Sequence, residues 1–123
     1  MPRIRRIAVG TAGGDSPGFN ACIRAVVRMA LRYEWEPWGV RYGYAGMLTG
    51  EMTPLTSRSV SHIVEQGGTF LGTSRDYVLQ TSHGLRDAMR NLNEVGIDAV
   101  VMIGGFACLR EARALDEAGI PTV

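Results

Sequence analysis

Ile7-Ala8-Val9-Gly10-Thr11-Ala12-Gly13-Gly14-Asp15-Ser16-Pro17-Gly18-Phe19-Asn20 is a short apolar run that breaks into a glycine turn and leads into helix-starting residues. Such a run reads as a buried strand. Ser16 or Asp15 is placed to cap a following helix, with Pro17 in its first turn, where a missing N–H costs nothing. Backbone N–H groups at a strand-to-helix turn point outward beside the positive end of the helix, an arrangement that suits phosphate. A glycine there lets a bulky anion approach the main chain. Gly13-Gly14 alone fits a plain tight turn equally well, and the stretch holds neither G-x-G-x-x-G nor a P-loop lysine.

Outward from this turn, strands and helices alternate. Ile4–Thr11 reads as the first strand, and a helix from Pro17 to about Tyr33 carries Ile23, Val26, Val27, Ala30 and Leu31 at helical spacing. Glu36–Tyr42 reads as a second strand, and 43–50 as a loop with Tyr44 between glycines. Ser57–Glu65 reads as a short helix capped by Thr56 or Ser57 and stopped by Gly67-Gly68. The piece 69–75 is expected to be briefly extended. A helix over Ser82–Glu94 ends at Gly96. Asp98–Ile103 is a continuous apolar run, expected to be a central strand buried on both faces. Gly104-Gly105 ends it, a helix follows over Phe106–Ala118, and another strand begins at 119–123. The expected architecture is α/β: one domain over 1–123, a mostly parallel sheet with helices on both faces. Ligands in such sheets bind beyond the carboxyl ends of the strands, where Gly13-Gly14, Tyr44, Arg75 and Gly104-Gly105 all fall.

Composition narrows the function. With 123 residues, net charge +1 and 20% charged residues, nothing favours nucleic acid or a membrane surface. No run approaches a membrane span, and the basic start at Arg3, Arg5 and Arg6 is not followed by a signal-peptide core. Cys22 and Cys108 lack metal-ligand spacing and read as reduced, half-buried thiols of a cytoplasmic protein. His62 and His83 read as surface or packing histidines. Asp15 reads as a helix cap and Asp76 as a solvated loop residue near the crevice. Arg24 and Arg28 share one helix face at i, i+4, which on spacing alone is a solvated face.

In five blocks the sequence resembles the 6-phosphofructokinase family. The blocks are Gly13-Gly14-Asp15-Ser16-Pro17-Gly18-Phe19-Asn20-Ala21, Arg24-Ala25-Val26-Val27-Arg28, Gly43-Tyr44-Ala45-Gly46, Gly67 to Arg75, and Gly96 to Gly105. The resemblance implies the incomplete N-terminal part of a Rossmann-like nucleotide-binding lobe. It implies a phosphoryl transfer in glycolysis from ATP, or pyrophosphate in some members, to the 1-hydroxyl of fructose 6-phosphate. It further implies that Gly13 and Gly14 admit donor phosphates, that Tyr44 lies near the base, and that Arg75, with Asp76 beside it, meets the donor. There a guanidinium stabilises spreading charge. Gly105, Ala107 and Cys108 would face the nucleotide, and Arg24 and Arg28 would hold effector phosphates between subunits of a homo-oligomer.

The same comparison exposes departures. Where the family has Gly-Gly-Asp-Gly-Ser, this chain has Gly104-Gly105-Phe106-Ala107-Cys108. Phe106 offers no oxygen to Mg²⁺, the metal expected for the family, and Ala107 adds a Cβ where close approach is expected. Ser57-Arg58 replaces a pair whose first member is arginine in effector-regulated relatives. Ile120-Pro121-Thr122-Val123 stops before the family's Gly-Thr-Ile-Asp-Asn-Asp block, which carries the general base. The expectation is therefore a family piece that is inactive alone, marginally stable and prone to associate. The alternative is a non-catalytic phosphate- or nucleotide-binding or regulatory partner of a complete subunit. A kinase of the wider Gly-Gly-Asp-Gly group, such as an NAD or lipid kinase, shares the defect at Phe106.

Overall fold

The computed structural model describes residues 4–13, 18–65, 69–73, 79 and 81–123, with Glu65, Phe106 and Ala107 described by backbone alone. Four strands, β1 (Arg6–Thr11), β2 (Glu36–Val40), β3 (Met52–Pro54) and β4 (Ala99–Ile103), form one sheet in the order β3-β2-β1-β4. β1 pairs in parallel with β2 and with β4, and β3 is antiparallel to β2. The mostly parallel sheet is thus borne out with one reversed edge strand. Past β4, Val100 and Thr122 form a parallel bridge, supported by Val100 N–H donating to Pro121 O (2.9 Å) and Met102 N–H to Val123 O (2.9 Å).

Helices cover both faces. α1 (Phe19–Arg32) packs Ile23 and Val27 with Val9, Leu55, Val60, Ile63 and Leu71. On the other face, α2 (Gly43–Thr49), α3 (Ser82–Val95) and α4 (Phe106–Glu117) pack Tyr44, Met47, Ala88, Leu92, Cys108 and Leu115 onto Ala8, Val100 and Met102. β1 is therefore buried from Ile7 to Thr11. β4 is less enclosed than its apolar run suggests: Val100 and Met102 are buried, while Ala99, Val101 and Ile103 are half-buried. α1 covers less of the sheet there than a two-sided parallel sheet requires.

Local details correct several expectations. α1 begins at Phe19 with Gly18 as N-cap and no side-chain cap; Asp15, Ser16 and Pro17 lie outside the described residues. Leu31 and Cys22 are exposed, because α1 turns Phe19, Ile23, Val27 and Ala30 inward and those two positions fall off that stripe. Residues 43–49 are helix rather than loop. β3 was not foreseen. Within 57–65 only Ile63–Glu65 is helical, a single 3₁₀ turn, although Thr56 does cap: its Oγ1 accepts from Ser59 N–H (3.2 Å), and Ser59 Oγ accepts from Thr56 N–H (3.0 Å). Gly67 and Gly68 lie outside the described residues. The piece 69–73 bends instead of extending, with Gly72 at φ +77°. α3 ends as expected at Gly96, left-handed at φ +83°.

Two side chains tie the layers together. Arg6 Nε donates to Glu36 Oε2 (2.7 Å), its Nη1 donates to Val95 O, and its guanidinium lies over Trp38 (5.3 Å). Asn20 is fully buried; its Nδ2 donates to Ile63 O (2.9 Å) and its Oδ1 accepts from Phe70 N–H (2.5 Å). Asn20 thereby holds the 69–73 segment against α1. Asn20→Ala leaves a buried C=O and a half-buried N–H without their partners and is expected to cost about 2–3 kcal/mol. Urea unfolding with a lowered midpoint and an unchanged slope checks this.

Candidate functional site

The chain order reverses at β1, with β2 on one side and β4 on the other, which puts the ligand crevice expected of such sheets at their carboxyl end. Pairing of β1 with β4 continues into the crevice through Ala12 N–H donating to Ile103 O (3.0 Å). Gly13 follows at φ +89°, a left-handed turn with nothing within 4 Å of where a Cβ would stand. The 69–73 segment is brought to the same end by Thr11, whose Oγ1 donates to Gly72 O (2.8 Å) and lies 2.9 Å from Thr69 Oγ1.

The glycines after β4 have different reasons to be glycine. A Cβ on Gly104 would meet Ala12 O at 2.6 Å and Cys108 Cβ at 2.7 Å, so close approach of β4 to the turn after β1 requires its absence. Gly105 is exposed, at φ −90°, with nothing within 4 Å of its missing Cβ. Among the described residues neither strain nor crowding explains a glycine there. It is the N-cap of α4, whose first-turn N–H groups have no intrahelical acceptor and face the same end of the sheet.

Tyr44 reaches this region by a sharp turn. Tyr42 (φ +59°) and Gly43 (φ +59°) are both left-handed, and Tyr42 N–H donates to Leu71 O (3.0 Å). The chain then swings from β2 into α2 and buries Tyr44 to 2% exposure. Its hydroxyl donates to Cys108 O (2.7 Å) and lies 3.6 Å from Cys108 Sγ. Burial raises the Tyr44 phenol and the Cys108 thiol above their ordinary ranges, so both stay neutral near neutral pH. Tyr44 and Cys108, expected to face a nucleotide, are thus packed on each other.

The other expected site residues divide in two. Gly14, Arg75 and Asp76, with Asp15, lie outside the described residues, as does the side chain of Ala107. Arg24 and Arg28 sit on α1, in the opposite layer from Tyr44 and Cys108; Arg24 is half-buried, its Nε enclosed without a hydrogen-bond partner among the described residues, and Arg28 is exposed. His62 and His83 are exposed. Among the described residues no three of His, Cys, Asp and Glu are grouped to hold a metal, and no helix is long and apolar enough to cross a membrane. Glu111, unnoticed in the sequence, is 3% exposed beside Cys108. Its spacing was a signal: it stands three residues after Cys108 and four before Leu115, on the inward stripe of α4.

The Phosphofructokinase family model matches residues 6–123, and the chain belongs to this family. It is 47% identical over 121 residues to ATP-dependent 6-phosphofructokinase 1 of Thermus thermophilus, covering 98% of this chain and 38% of that protein. It is 42% identical over 120 residues to ATP-dependent 6-phosphofructokinase of Oceanobacillus iheyensis, again across 98% of this chain and 38% of the relative. The chain thus spans well under half the length of these curated relatives. The phosphofructokinase structure from Saccharomyces cerevisiae superposes with TM-score 0.87 at 38% identity, over 92% of this chain and 15% of that one. A pyrophosphate-dependent phosphofructokinase from Marinobacter aquaeolei shares the fold, with TM-score 0.81 at 17% identity, over 97% of this chain and 32% of its own.

Substitutions at the two glycines separate folding from ligand approach. Gly104→Ala is expected to destabilise by roughly 2–3 kcal/mol, since the opposing atom is a backbone carbonyl that cannot step aside. Gly105→Ala is expected to stay within about 0.5 kcal/mol. Thermal and urea unfolding of the two variants against the parent check the contrast.

Proposed function

We propose that this chain is the nucleotide-side segment of an ATP-dependent 6-phosphofructokinase and binds phosphate or nucleotide weakly without transferring the phosphoryl group itself. The observation that carries the reading is Gly105, whose missing Cβ faces open space at the N-terminus of α4 while its neighbour Gly104 is fully accounted for by packing. A main chain left bare at a helix N-terminus suits an anion. Gly13 and Gly14 would admit donor phosphates on the β1 side, and Arg75 would meet their charge. Support for ATP as donor comes from the names of the relatives in Thermus and Oceanobacillus.

Mg²⁺ does not fit the end of β4 in this chain. Gly104-Gly105-Phe106-Ala107-Cys108 supplies no carboxylate, and the phenyl of Phe106 has no lone pair for a hard cation. No step is therefore assigned to a metal at that position. Without it, charge on a transferred phosphoryl group would rest on backbone donors and one arginine, short of what phosphoryl transfer demands. The acceptor in the family reaction is the 1-hydroxyl of fructose 6-phosphate, and no described residue at the crevice is placed as its base.

Arg24 and Arg28 support a second anion site on α1 for an effector phosphate, in a cytoplasmic homo-oligomer or on a complete subunit. The likeness of Arg24-Ala25-Val26-Val27-Arg28 to the family's block supports this reading over a plain solvated face. In this second role the chain is a binding or regulatory partner rather than a catalyst.

Calorimetric titration of the chain with ATP is expected to show millimolar binding that EDTA leaves unchanged and Gly105→Ala weakens severalfold. Phe106→Asp is expected to make the binding Mg²⁺-dependent. A coupled assay with ATP, Mg²⁺ and fructose 6-phosphate is expected to give no fructose 1,6-bisphosphate above blank. Turnover in that assay, or no heat of binding at millimolar ATP, would overturn the proposal.

A further inference from the structure

Glu111 is an acid set into an apolar layer. It lies 3% exposed on the inward side of α4, between the buried Cys108 and Leu115. Its Oε1 is enclosed and has no hydrogen-bond partner among the described residues, while its carboxyl accepts from the backbone N–H of Leu79. Beside it the Tyr44 hydroxyl crosses from α2 to the Cys108 carbonyl, which joins α2 to the first turn of α4. A neutral carboxyl can sit in such a place with one oxygen unsatisfied, whereas a carboxylate there loses hydration that the single Leu79 N–H returns only in part.

We propose that Tyr44, Cys108 and Glu111 form a proton-operated latch: protonated Glu111 lets α4 close over α2 and Leu79, and loss of its proton opens the start of α4 and uncovers Cys108. The latch needs no nucleotide and stands whether or not the crevice binds one.

The surroundings of Glu111 offer no compensating cation among the described residues. α2 presents the Tyr44 hydroxyl, α4 itself presents Cys108, and the turn before α3 presents Leu79 N–H. α3 turns Ala88 and Leu92 into this core; its Arg86, Arg90 and Glu94 are exposed, and Asp87 pairs outward with His83 and Arg90. β4 contributes Val100 and Met102, and Arg110 and Arg113 of α4 are exposed. Burial accordingly raises the Glu111 carboxyl to about 7, with the Leu79 N–H offsetting part of the rise. Since the closed-state value lies above the ordinary 4.5, stabilisation of the closed form is complete below that value and is lost as pH rises through about 7. Cys108 and Tyr44 are shifted upward, so neither ionises ahead of Glu111.

The two cysteines supply an internal comparison, since Cys22 is exposed and Cys108 is buried. The full chain is alkylated with iodoacetamide from about pH 5.5 to about pH 8.5, and the Cys108 to Cys22 labelling ratio is read by peptide mass. Glu111→Gln, which cannot ionise, reports thiol chemistry alone. The parent ratio is expected to exceed the variant's already at the acid end, which lies above the ordinary carboxyl value, and the excess is expected to grow by a further factor of roughly ten or more toward the alkaline end. Ratios that track each other throughout would overturn the latch, as would Cys108 reacting as fast as Cys22 in the parent at the acid end. Should the variant fail to fold, amide exchange on the parent decides. Protection lost in α4 near neutral pH while α1 keeps its own supports the latch, and equal loss in both, or loss in neither, overturns it.

Discussion

Everything at the crevice depends on β1 being held between two parallel neighbours. Five positions of β1 register with β4, and the pairing runs one residue further through Ala12 N–H to Ile103 O. That extension is possible only because Gly104 has no side chain to strike the Ala12 carbonyl. At the opposite end, Asp98 Oδ2 accepts from the backbone N–H groups of Arg5 (2.9 Å) and Arg6 (3.0 Å), so the two strands are pinned at both ends. A slip of one residue would turn Ala8 and Val9 to the wrong layers, which the two separate apolar clusters forbid.

Much of this was legible in the sequence because its signals are local. The apolar runs at β1 and β4, the helical stripes of α1 and α3, and the stop at Gly96 depend on neighbours within a turn or two. α2 was not legible, since three glycines in eight residues read as loop. Each has a separate tertiary reason: Gly43 is left-handed against Thr11 O, Gly46 lies against the Arg41 carbonyl, and Gly50 ends the helix at φ +77°. Glycine density stood for three unrelated demands, none of which forbids a helix. β3 is three residues long, too short to carry an alternation.

The site was legible in the same uneven way. That loops after β1, β2 and β4 meet at one end follows from parallel topology alone. That Tyr44 spends its hydroxyl on Cys108 does not, because the partners are 64 residues apart and meet only when α2 and α4 pack on one face. Glu111 was readable from its place on the α4 stripe. An acid on such a stripe is easily passed over as a surface residue, since most acids at helix positions are solvated.

A physical asymmetry separates the two halves of the crevice. The side proposed to take phosphate is made of main chain: Gly13, Gly105 and the first turn of α4. Its donors are fixed by the pairing of β1 with β4 and by where α4 starts, so a side-chain change at 106 or 107 leaves them in place. On the proposed reading the metal and the nucleotide's base would be met by side chains, at Phe106 and at Tyr44 with Cys108. One of these lacks an oxygen, and the other pair is already satisfied internally. Substitution can therefore remove metal chemistry from this fold while the anion-facing backbone persists, because that backbone is also what the sheet requires in order to close.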